Sequence, residues 1–203
     1  MSQALHVKRN RTVLVGYQLP ACIALDYLVD QVEILVVVTE TLEWEYRNSQ
    51  TYEVRRRIDA WGDLAVKAEE LGLPIMRLAP SNLETILLNW KPDLLVCVGY
   101  HHRLTPSSCA AQPAVNLHAG LLPQYRGRFP IQRALYDKAP VIGVTAHYMV
   151  WEYDAGNILA TATVPTYADD SFLSAFQRTL PLYKRVLADA LPRILRGDLG
   201  EPQ

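Results

Sequence analysis

The chain has 203 residues, 50% of them hydrophobic and 20% charged, with a formal net charge of −1. This suits a globular protein with one sizeable core and weighs against a partner held by nucleic-acid phosphates, which requires clustered Lys and Arg. The basic clusters Lys8–Arg11 and Arg55–Arg57 read as solvated surface, and the three cysteines, Cys22, Cys97 and Cys109, form no metal-spaced pattern.

Thr12–Gly16 is a short apolar run ending in glycine, which predicts a buried strand. Pro20 fits the first turn of a helix carrying Ile23, Leu25, Tyr27 and Leu28. Val32–Val38 is nearly continuous and β-branched, the pattern of a strand covered on both faces. Residues 40–57 are polar and aperiodic and read as a long loop. A helix is expected from about Ile58 to Leu71, ended by Gly72, followed by a strand over Leu73–Leu78. Ser81 and Glu84 make a capping box for a helix with Leu83, Ile86, Leu87 and Trp90 at helical spacing. Asp93–Val98 and Ala114–Leu117 are the next two strands.

This alternation implies a mostly parallel twisted sheet flanked by helices, an α/β fold with a Rossmann-like first half over 12–118. Beyond it, Pro130–Tyr136 reads as a helix and Gly143–Met149 with Ile158–Val164 as a strand pair. Phe172–Leu195 reads as a final helix kinked at Pro181. We expect one domain over 1–203, with 119–197 completing the core. The early polar residues Gln18, Asp26 and Asp30 interrupt any leader-like apolar run, no 18-residue apolar span exists, and the odd cysteine count suits a reducing compartment. The expectation is a cytoplasmic protein without membrane contact.

The chemistry concentrates in Asn116-Leu117-His118-Ala119-Gly120-Leu121-Leu122-Pro123, continued by Tyr125-Arg126-Gly127-Arg128 and later by Asp154-Ala155-Gly156. Residues two apart in a strand share a face, so Asn116 and His118 point into one pocket. An Asn donor beside a His suits a reaction in which a carbonyl oxygen gains charge while an amine loses a proton. Asp154 is placed to orient and polarise that His. The blander alternatives are a core histidine, an Asn at a strand end and a turn Asp before a glycine. The first strand–helix turn lacks Gly-x-Gly-x-x-Gly, which weighs against a dinucleotide cradle. His101, His102, His118 and His147 lack metal-ligand spacing, so no metal is expected.

The Asn-x-His, Leu-Leu-Pro and Asp-x-Gly elements resemble the signature of the folate-dependent formyltransferases, with Tyr100–Leu104 and Gly143–Thr145 pointing to the sugar-nucleotide N-formyltransferases, such as those acting on UDP-4-amino-4-deoxy-arabinose. The resemblance implies 10-formyltetrahydrofolate as donor and a primary amine, foremost on a nucleotide-linked amino sugar, as acceptor. It implies catalytic roles for Asn116, His118 and Asp154. It puts Arg103, Leu104, Thr105, Arg128, Val150, Trp151, Glu152, Tyr153 and Asp154 against the folate, and Tyr100 and Arg126 against the acceptor. Other acceptors stay open: an amino acid, a peptide, a small aminosugar or glycinamide ribonucleotide. So do a catalytically weak binding module for folate or nucleotide sugar, and a homo-oligomer. One departure is Gly120, where the family usually has Ser.

Overall fold

A computed structural model describes residues 10–40, 62–78, 83–100, 105 and 112–203. The expected loop over 40–57 lies, apart from Glu40, outside the described residues, as do Ser81, His101, His102, Arg103, Leu104 and Cys109.

The order is β1 (Arg11–Gly16), α1 (Gln18–Gln31), β2 (Glu33–Glu40), α2 (Leu64–Glu70), β3 (Ile75–Leu78), α3 (Leu83–Trp90), β4 (Leu94–Val98), β5 (Ala114–His118), α4 (Pro130–Tyr136), β6 (Val141–Tyr148), β7 (Ile158–Pro165) and α5 (Phe172–Leu195). The seven strands form one sheet in the order β3-β2-β1-β4-β5-β6-β7. The first five are parallel, while β6 runs antiparallel to β5 and β7 antiparallel to β6.

The continuous apolar runs are explained by burial on both faces. In β1, Leu14 faces a layer built by Leu25 and Leu28 of α1 and Leu187 and Leu191 of α5. Its neighbours Val13 and Val15 face Leu83, Ile86 and Leu87 of α3. A smaller cluster joins Tyr125, Ile131 and Ala134 to Ile142 and Ala175. Pro181 and Pro192 both sit within α5, whose first turn is capped by the Ser171 hydroxyl accepting from the Ser174 amide at 3.1 Å.

One expectation needs correction. Of the helix expected from Ile58, residues 58–61 lie outside the described residues, and the described helix begins at Leu64. Gly62 has φ +91 and Asp63 is extended, so the backbone is not helical there. Asp63 instead caps the helix, accepting from the Ala65 amide at 2.8 Å and the Val66 amide at 3.3 Å. The end falls where expected, with Gly72 at φ +67 just beyond it.

Candidate active site

Alternation and register assemble the site. In β5, Val115 and Leu117 enter the layer shared with α5, and in β6 Val144 and Ala146 do the same. Asn116, His118, Thr145 and His147 therefore lie on the opposite face. The antiparallel register sets His147 directly across from Asn116, and Thr145 across from His118.

The turn between β6 and β7 delivers the carboxylate. Asp154 has φ +52, a left-handed conformation that costs a non-glycine residue about 1–2 kcal/mol and that Asp tolerates better than most. Its Oδ2 accepts the Gly127 amide at 2.8 Å and lies 3.5 Å from His118 Nδ1. Its Oδ1 lies 3.4 Å from both Asn116 Nδ2 and His147 Nε2. Gly156 completes the turn where no side chain fits: a Cβ there would stand 1.9 Å from the Tyr148 carbonyl oxygen.

Partner chemistry assigns the protons. A carbonyl oxygen only accepts, so the contact of His147 Nδ1 with the Tyr148 carbonyl at 2.8 Å places a hydrogen on Nδ1. In the neutral ring, Nε2 is then an acceptor for Asn116 Nδ2 at 3.2 Å. Both Nδ2 hydrogens of Asn116 are thus directed within the cluster, and the 3.4 Å bond to Asp154 is the weaker. His118 Nε2 donates to the Tyr125 carbonyl at 2.7 Å. Its Nδ1 faces Asp154, so only the protonated ring offers a hydrogen to each neighbour.

Electrostatics oppose that protonation. His118 is only 8% exposed. Burial lowers its pKa from the ordinary 6.5, outweighing the Asp154 charge and the Tyr125 carbonyl, while His147 and Arg133 push the same way as burial. Burial pushes the Asp154 carboxyl up, yet the His147 and His118 rings, each when it carries a proton on the nitrogen facing the carboxylate, and the Gly127 amide hold it below the ordinary 3.8. The result is an ionised carboxylate beside a histidine biased toward its neutral form, a pair suited to taking up a proton as an amine becomes acylated.

The loop from Ala119 to Phe129 closes over His118. Thr145, fully buried, donates its hydroxyl to the Gly120 carbonyl at 2.7 Å and accepts from the Leu122 amide at 3.3 Å. A Cβ on Gly120 would come within 2.5 Å of Pro130 Cβ and 3.0 Å of His118 Nε2. The glycine is therefore matched to its own neighbours, since a serine there would force Pro130 or the imidazole to move.

The described sequence-predicted residues fall in four places. Asn116, His118 and Asp154 come together as expected from the motif. Val150, Trp151, Glu152 and Tyr153 are exposed in the turn leading into Asp154. Arg128 lies over the Phe129 ring at 5.5 Å, and Arg126 donates through two nitrogens to Gln203 Oε1 at 3.0 and 2.8 Å. Tyr100 packs beside the α3 layer, and Thr105 donates to Glu84 on α3. His147 and Thr145 were not singled out for this site from sequence. The available signal was the alternation in Val144-Thr145-Ala146-His147, which places both on the face opposite the apolar pair. Among the described residues no group of three His, Cys, Asp or Glu side chains is arranged to hold a metal ion.

The chain is 34% identical over 153 residues to the methionyl-tRNA formyltransferase of Listeria innocua, a match covering 71% of this chain and 48% of that protein. It spans about half the length of the curated relatives it matches. Its fold is similar to glycinamide ribonucleotide transformylase 1 from Symbiobacterium toebii, with a TM-score of 0.75 at 20% identity, covering 97% of this chain and 92% of that one. It is also similar to a sugar N-formyltransferase from Shewanella sp., with a TM-score of 0.68 at 19% identity over 96% of this chain and 73% of that one. The family model described as formyl transferase matches residues 28–191, a stretch that contains Asn116, His118, His147 and Asp154, and the chain belongs to that family.

Proposed function

We propose that the protein transfers a formyl group from 10-formyltetrahydrofolate to a primary amine, foremost the amine of a nucleotide-linked sugar. The observation that carries this reading is the convergence of Asn116, His118 and His147 on one Asp154 carboxylate. The amine nitrogen attacks the formyl carbon, and the carbon's bond to folate nitrogen breaks. The amine loses one proton and the folate nitrogen gains one, so the products are a formamide and tetrahydrofolate. His118 accepts the proton with Asp154 stabilising the cation, and passes it toward the leaving nitrogen. Asn116 turns the hydrogen of its longer bond, the one to Asp154, onto the oxyanion.

The exposed apolar side chains Val150, Trp151 and Tyr153 fit the flat ring system of a folate at the mouth of the site. By family likeness Arg128, Thr105, Arg103 and Leu104 extend that contact, and Tyr100 and Arg126 serve the acceptor. A folate-using enzyme of this kind belongs in the cytoplasm. Among the described residues no helix is long and apolar enough to cross a membrane.

A second acceptor, methionyl-tRNA, is favoured by the names of the curated relatives at 31–37% identity. The formal net charge of −1 weighs against it.

Mass spectrometry after incubation with 10-formyltetrahydrofolate tests the reading across nucleotide aminosugars, free aminosugars, glycinamide ribonucleotide, amino acids and methionyl-tRNA. A gain of one formyl group on a nucleotide aminosugar is expected. Asn116→Ala should slow transfer by about 10²–10³-fold and His118→Ala by about 10²–10⁴-fold. Folate binding without transfer to any acceptor would replace the enzyme with a binding module.

A further inference from the structure

The segment that follows α5 folds back onto the site. Glu201 exchanges both backbone hydrogen bonds with Ile158 at 2.8 and 2.7 Å. The Asn157 amide donates to the Leu199 carbonyl at 2.9 Å, and the Tyr148 hydroxyl to the Asp198 carbonyl at 2.6 Å. Asp198 also accepts from Arg193 Nε and from the Gly200 amide, each at 2.8 Å. These bonds fix residues 198–201 without Gln203.

Gln203 then spends its whole hydrogen-bonding capacity on the site loops. Its Nε2 donates to the carbonyl oxygens of Asp154, at 3.0 Å, and Gly156. Its Oε1 accepts from Arg126 Nε and Nη2. An amide has two hydrogens and two lone pairs, and all four are used. The arrangement closes a ring. Arg126 precedes Gly127, whose amide holds the Asp154 carboxylate, and the Asp154 carbonyl returns to Gln203. Gln203 thus grips both the backbone of a left-handed residue and the loop that supplies its carboxylate with a donor.

We propose that Gln203 is a positioning residue that clamps the Asp154 turn to the Arg126 loop and thereby sets the carboxylate facing His118. The consequence for turnover rests on the formyltransferase reading, whereas the effect on the His118–Asp154 pair does not. The groups facing His118 are Asp154, the Tyr125 carbonyl, His147 and Arg133. Asp154 is the anion among them, so releasing its turn removes the charge that favours protonated His118.

The test compares Gln203→Glu and Gln203→Met with wild type in the full chain. Gln203→Met removes all four bonds. Gln203→Glu keeps the acceptors for Arg126 but sets a carboxylate against two carbonyl oxygens. The His118 imidazole titration is followed by NMR without substrate, kcat and KM are measured with the acceptor found above, and circular dichroism reports folding. Both variants should stay folded, titrate His118 at lower pH than wild type, and lose about tenfold in kcat through misplacement of the carboxylate. A wild-type titration and kcat in Gln203→Met, whatever happens to its thermal stability, would reduce Gln203 to a surface tie. Wild-type behaviour of Gln203→Glu with a defect only in Gln203→Met would assign the role to the Arg126 contact and overturn the clamp. If wild type transfers no formyl group but both variants still shift the His118 titration, the clamp stands and the formyltransferase reading falls.

Discussion

At the scale of single residues, the site's pH behaviour follows from two opposed environments. His118 is pushed below 6.5 by burial, so the unfolded chain binds the more protons just below that value. Stability should fall as pH drops from about 7 through 6.5 toward the folded-state pKa, and His118→Asn should flatten that slope in thermal melts. Asp154 is held below 3.8, so its contribution is complete above that pH and is lost only in stronger acid. With neutral His118 as the proposed proton acceptor, activity should rise with pH through an apparent pKa below 6.5 and level off near neutrality. Asp154→Asn keeps a side chain that tolerates the left-handed backbone, yet should lower turnover and move the inflection further down. An unchanged pH–rate profile would leave Asp154 a turn residue. Asn116 and His118 were legible as neighbours because period-two spacing is a local signal, whereas Asp154 was joined to them through the family resemblance. Alternation in β6 gives the face of His147 but not its place across from Asn116, which comes from the pairing of β5 with β6, and Gln203 enters only by a contact with Asp154 distant in sequence.

At the scale of elements, the loop over His118 depends on a hydroxyl from β6. Thr145→Val would keep the shape of the side chain while leaving the Gly120 carbonyl and the Leu122 amide without their partner. The cost should be about 1–3 kcal/mol in denaturant melts, accompanied by weaker folate binding as the loop loosens. A neutral substitution would show that the loop is held from elsewhere. The strands were legible to within one or two residues because two-faced burial produces unbroken apolar runs, as in Val13–Val15 and Leu94–Val98. Both ends of α4 and α5 were read as observed, since Pro130, Ser171 and Gly197 punctuate them. The start of α2 was misread because the apolar pattern continues upstream of it, while Gly62 and Asp63 impose a break that hydrophobicity does not register.

At the scale of the whole molecule, one helix of 24 residues unites the two parts of the sheet. It packs on α1 beside the parallel strands and on β6 and β7 in the antiparallel part. Leu187, fully buried in that layer, is the position at which this union is most directly tested. Leu187→Ala should cost about 2–5 kcal/mol in chemical denaturation, and a loss below about 1 kcal/mol would mean the layer collapses around the gap. The general α/β architecture and the strand pair β6–β7 could be read from the sequence, but the antiparallel pairing of β6 with β5 could not, because nothing local names the strand beside which β6 docks. The position of α5 also has a consequence in time. At about 5–20 residues per second of synthesis, the roughly 140 residues between α1 and α5 take on the order of 10–30 s to appear. Throughout that interval Leu25 and Leu28 of α1, joined by Val115 and Leu117 of β5 once these are made, lack the helix that covers them. The nascent chain carries an open apolar surface until α5 has been made, and a chaperone that shields such surfaces during translation should raise its yield more than one supplied afterwards.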